Sequence, residues 1–132
     1  MPKFLRAYAE YSYAAMRVII GFLLCCHGAQ KLFGAFGGQP QIGDRLMLVG
    51  GCIEFFGGIF VALGLIASYA AFLTSGMMAV AYFMEHAHRN FWPILNEGEL
   101  AVAFCFVLLH IAFRGSGAIS LDAVLKKYDG PI

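Results

Sequence analysis

Fifteen consecutive residues, AAFLTSGMMAVAYFM (70–84), carry no charged side chain and no polar face. A helix in a water-soluble bundle must turn a polar stripe to solvent at a period of 3.6 residues. This run has none, which sets a soluble four-helix bundle aside. Four apolar runs of this kind cover about residues 13–32, 46–65, 67–84 and 98–114. A bilayer core needs about 20 helical residues, range about 17–25. The first three runs meet that length. The fourth does so only if Gly98 and Glu99 extend it and Arg114 reaches up to the headgroups. VIIGFLLCC (18–26) has the character of a signal-peptide core, but three further segments argue for a retained span.

The expected fold is therefore all-α, a transmembrane four-helix bundle. The stretch PKFLRAYAEYSY (2–13) reads as an N-terminal interfacial helix, with Tyr8, Tyr11 and Tyr13 at headgroup level. With 132 residues, 61% of them hydrophobic and 13% charged, the chain fits one membrane domain, 1–132. A net charge of +1 leaves no broad surface for nucleic acid. Cys25, Cys26, Cys52 and Cys105 lie in apolar runs without C-x-x-C spacing, so neither a disulfide framework nor a metal site is expected.

Lysine and arginine set orientation. In a four-span chain, one side holds Lys3, Arg6, Arg17, Arg114, Lys126 and Lys127, and the other Lys31, Arg45 and Arg89. Both termini are thus expected in the cytoplasm of a cell membrane, of the bacterial inner-membrane type. HGAQKLFG (27–34) and EHAHRNFW (85–92) then face the outer side.

Glu54 is the most informative residue. Gly50, Glu54, Gly58 and Ala62 form one face of the second span. Small residues there admit a close helix, so Glu54 is expected to face protein. A carboxylate at that depth is costly and is either functional or a structural acid that fixes packing. It lies roughly 12 Å into its span, and His27 roughly 8 Å in from the same side. Lys31 is one turn beyond His27 on the same face. His27, Lys31, Glu54 and Glu99 are therefore expected to converge in an outer polar pocket, under a loop carrying Trp92. Lys31 has a bland reading as a side chain reaching the headgroups. His86 and His88 have one as solvated loop residues. Arg17, near the opposite face, reads as a second anchor of this kind.

The residues now on the page carry a resemblance. The pattern is R-x9-H-G-x-x-K-L-F-G from Arg17, I-E-F-F-G-G-x-x-x-x-L-G-L from Ile53, F-W-P-x-x-N-x-G-E from Phe91 and G-x-G-x-x-S-L-D from Gly115. In order and spacing it resembles the DoxX family of small four-helix membrane proteins, from Arg17 to Asp122. The family is named for its similarity to a membrane subunit of thiosulfate:quinone oxidoreductase. Members are often labelled oxidoreductases, and some are linked to quinone or catechol stress. The resemblance carries over Arg17, His27, Lys31, Glu54, Trp92, Glu99 and Asp122.

Three functions compete. The first is a redox-linked subunit that binds a quinone or similar small molecule. His27, Glu54 and Lys31 then serve as proton donors and acceptors at its carbonyl oxygens. The sequence has no flavin, haem or iron–sulfur motif, so electrons would come from a soluble redox partner or a substrate. The second is a non-enzymatic anchor or assembly factor for soluble redox enzymes. The third is a small proton- or ion-coupled transporter, which four short spans would build only as a homo-oligomer. The topology is directly testable. Cysteines placed at residues 3 and 127 should react with a membrane-impermeant maleimide only after permeabilisation. Labelling of either in intact cells would overturn the orientation.

Overall fold

In a computed structural model the described residues, 1–128, form helices joined by turns and loops, and no strand. The last four residues of the expected 1–132 domain lie outside them. A short helix α1 (Lys3–Ala7) breaks at Tyr8, and α2 (Ala9–Phe33) follows at once. Then come α3 (Arg45–Leu63) and α4 (Ala67–Ala81), the latter prolonged by a π turn over Tyr82–His86. α5 (Pro93–Asn96), α6 (Glu99–Arg114) and α7 (Leu121–Tyr128) complete the chain. Three helical stretches are long and apolar enough to cross a membrane: Ala9–Phe33, Arg45–Leu63 and Ala67–His86. The fourth expected span is the 16-residue α6, about 24 Å at 1.5 Å per residue and short of a ~30 Å hydrocarbon core.

Local chemistry sets the boundaries. Gly34, at φ 68°, ends α2 with its N–H on the Gln30 carbonyl. Asp44 caps α3 by accepting from the Leu46 N–H at 3.0 Å. Gly64, also at φ 68°, ends α3. C-terminal α7 was not anticipated. Its signal is Ser120, whose hydroxyl accepts from the Ala123 N–H at 3.2 Å, with Asp122 in the first turn.

The long helices pack α2 on α3, α3 on α4 and α4 on α6. α3 serves two neighbours through two glycine pairs seven residues apart. Gly51 lies against Lys31 and Leu32, and Gly58 against the backbone of Gly21 and Cys25, both on α2. Gly50 faces Met77 and Gly57 faces Thr74, both on α4. A Cβ at Gly58 would stand 2.5 Å from the Gly21 carbonyl oxygen, so only glycine permits this approach. Across α4 and α6, Ser75 donates to the Cys105 carbonyl at 2.7 Å. Outward, Val18, Phe22, Phe56, Phe72, Phe106 and Phe113 are all exposed, a surface suited to lipid rather than water.

At the end where α2 starts and α6 ends, the α3–α4 turn is clamped. Arg17 is 2% exposed. It donates from Nη1 to the Val61 and Ala62 carbonyls and from Nη2 to the Ile119 carbonyl, each at 2.6 Å. A cation thus closes the carbonyl end of α3. Ile66 sits at φ 44°, a strained setting for a β-branched residue. Asp122 accepts its N–H at 2.9 Å and the Ser116 hydroxyl at 2.5 Å. The expectation that Arg17 reaches to headgroups is thereby corrected: backbone carbonyls inside the fold hold its guanidinium instead. Tyr13 is buried with its hydroxyl on the Gly115 carbonyl at 2.6 Å.

Removing this cation should be costly. Arg17→Met takes the donor from the Ala62 and Ile119 carbonyls, leaves Val61 only the Gly64 N–H, and should lower stability in detergent by about 3–5 kcal/mol. The exposed Arg6→Met should change it by less than about 0.5 kcal/mol. Comparable unfolding curves for the two variants would refute the clamp.

Candidate functional site

Away from the clamp, α3 and α4 enclose an apolar cleft of about 870 Å³. Its walls include Val49 and Ile53 of α3, Leu73 and Met77 of α4, and Leu100 and Phe104 of α6. His27, Lys31 and Glu54 border it from α2 and α3. The four glycines explain Glu54's position. It lies one turn from each of Gly50, Gly51, Gly57 and Gly58, so it points into the space that close packing on both sides leaves. It is 3% exposed.

Lys31 donates from Nζ to Glu54 Oε1 at 2.8 Å. The lysine side chain is 25% exposed against 4% for the glutamate. Lys31 is therefore tied down rather than extended to headgroups. Glu54 Oε2 is buried and has no hydrogen-bond partner. His27, one turn before Lys31, meets Phe104 edge-on with ring centroids 6.0 Å apart.

Trp92 and Glu99 do not join these residues. Trp92 is 61% exposed and packs edge-on against Phe91. Glu99 is exposed at the first turn of α6. Neither borders the cleft. The reason is the loop's own knot, tied by a residue not singled out beforehand. Fully buried Asn96 donates to the Tyr82 hydroxyl at 3.0 Å and the Asn90 carbonyl at 2.9 Å. It accepts from the Gly98 N–H at 2.8 Å. His86 Nδ1 lies 3.0 Å from the Asn96 carbonyl oxygen. The N-x-G-E segment carried this signal, because an asparagine two residues before glycine favours a side-chain-closed turn. The knot presents Glu85, His86 and Glu97 to the cleft instead. Among the described residues no group of three or more His, Cys, Asp and Glu side chains stands ready for a metal.

The fold and site define a helical membrane protein with one ligand-sized apolar cleft and a buried ion pair on its wall. The comparisons make the assignment specific. The DoxX family model matches residues 13–87. An uncharacterized protein of Haemophilus influenzae is 38% identical over 125 residues, covering 89% of this chain and 93% of its own length. The chain belongs to the DoxX family. No solved structure matches it.

The ion pair makes a testable unit. Lys31→Met strands a buried carboxylate and should cost about 3–5 kcal/mol, and adding Glu54→Leu should recover most of that. Unfolding of the two single variants and the double variant in detergent checks this. Additive losses would show that the two side chains are not coupled.

Proposed function

We propose that this DoxX protein is a redox-linked membrane subunit that takes a quinone or similar lipophilic molecule into the cleft beside Lys31 and Glu54. The observation that carries the reading is the cleft itself. Its volume, about 870 Å³, lies in the range of small-molecule sites, ~300–1,000 Å³, and such sites pair apolar walls with a few placed polar groups. Here those groups are the ammonium of Lys31, the carboxylate of Glu54 and the imidazole of His27. They supply donors and acceptors for the oxygens of a bound ring. Electrons would reach or leave the ligand through a soluble redox partner.

In this reading the four long helices form a transmembrane bundle with both termini in the cytoplasm. The short α6 reaches across with help from Arg114. That residue lies 4.0 Å over the Tyr13 ring and pairs with Glu10, at the level where interfacial tyrosine and arginine anchor a helix. An anchor or assembly factor would have no use for a cavity, so the open cleft favours ligand binding over that alternative. The fully buried Leu24, Val61, Leu108 and Ile111 lie between cleft and clamp, an arrangement better suited to a closed-ended site than to a transporter's conduit.

Gly76 gives a clean test. It borders the cleft, and a Cβ there meets nothing within 4 Å. Gly76→Phe should fill the cleft without lowering the melting temperature. Native mass spectrometry of gently purified wild type should show a small molecule bound, or uptake of added decylquinone. The Gly76→Phe variant should show neither. Decylquinone bound equally by both would place the ligand elsewhere, and absence of any bound small molecule from wild type under both conditions would overturn the reading.

A further inference from the structure

We infer that the cleft selects a ligand whose head donates a hydroxyl hydrogen bond and whose body is apolar. Within the lipophilic ring compounds just proposed, it binds the phenolic, reduced form in preference to the quinoid, oxidised one. The inference deepens the reading above and rests on it.

The argument starts from the unsatisfied atom. Glu54 Oε1 is taken by Lys31 at 2.8 Å, while Oε2 has no donor in a residue 3% exposed. Leaving a buried charged oxygen unpaired carries its full desolvation penalty. A carboxylate oxygen only accepts, so the group that relieves it must donate. A quinone ring offers carbonyl acceptors and would face this oxygen lone pair to lone pair. A hydroquinone or catechol offers O–H donors, and a phenol to carboxylate bond is among the stronger kinds. Glu54 borders the cleft, so a donor that seats against it and reaches Oε2 would be the partner that this oxygen lacks.

The apolar body follows from the walls. Val49, Phe72, Leu73 and Val80 border the cleft and are each more than half exposed on the lipid-facing surface. The cleft therefore opens sideways between α3 and α4, and a tail can remain in lipid while the head reaches Glu54. Four of the chain's six methionines, Met47, Met77, Met78 and Met84, also line it. Unbranched thioether side chains adapt to differently shaped tails.

If the reduced form binds tenfold more tightly than the oxidised form, the midpoint potential of the bound two-electron couple rises by about 30 mV. The test uses full-length protein in nanodiscs and four probes: decylhydroquinone, decylquinone, the dimethyl ether of decylhydroquinone and tail-less hydroquinone. Titration should show decylhydroquinone bound at least tenfold more tightly than each of the other three. Glu54→Gln presents an amide donor where the unpaired oxygen was. It should cancel or reverse the preference between decylhydroquinone and decylquinone, a ratio that a purely structural role would not move. Equal binding of decylhydroquinone, decylquinone and the ether to wild type would overturn the inference and leave the cleft a ligand site. Binding of none of the four would overturn both. The wild-type series decides without the variant should Glu54→Gln fold poorly.

Discussion

Close backbone approach along α3 is the constraint on which the other features depend. In lipid the hydrophobic effect does not press helices together, and packing between small residues does much of that work. Gly51 and Gly58 bring α2 against one side of α3, and Gly50 and Gly57 bring α4 against the other. Glu54 sits among the four. A glycine-lined face alone would bury it as an isolated charge, at prohibitive cost. The same proximity that removes it from solvent brings Lys31, on the adjoining face of α2, within 2.8 Å. Packing and ion pair are thus one arrangement, and a bulky residue at Gly51 would disturb both, because the room there is already filled by Lys31 and Leu32.

The two ends of the helices are built to different rules. At the end where α2 starts, Arg17 and Asp122 bind backbone groups on either side of the α3–α4 turn. They draw α2 and the segment before α7 onto it. Backbone polar groups that water cannot reach must find partners inside the protein, and here charged side chains supply them. At the other end no such clamp joins α3 to α4, and the helices leave a cleft between them. The fixed end holds the helices in register, and the open end has room for a guest.

The sequence made the apolar runs, the all-helical class and the nearness of Glu54, His27 and Lys31 legible, because hydropathy and residue spacing along a helix carry that information directly. What it hid depends on contacts remote along the chain. Arg17 reads as a headgroup anchor because single-span logic sees only a cation near a helix end. Its real partners are carbonyls 44, 45 and 102 positions away. The Tyr13 hydroxyl likewise bonds a carbonyl 102 positions on. Trp92 and Glu99 were grouped with Glu54 by side of the membrane alone. Depth along a helix is readable, but azimuth around the bundle is not. The Asn96 knot turns Glu85, His86 and Glu97 toward the cleft in their place.

Among the described residues two buried polar side-chain atoms lack partners, Arg17 Nε and Glu54 Oε2, and their settings differ. The Arg17 charge is spread over a guanidinium whose other nitrogens make three bonds of 2.6 Å, so one silent N–H is a small residue of a well-satisfied group. Glu54 holds its charge on two oxygens, of which one is bonded. Asp122, in the clamp, receives two donors, a backbone N–H and a serine hydroxyl, where Glu54 receives one. An acid kept only for packing would gain from a comparable second donor, and in a low-dielectric interior that gain is large. Half-satisfied beside an open apolar cleft, Glu54 is the residue on which the proposed ligand site turns, whereas the unpaired Arg17 Nε belongs to a group already held by three bonds.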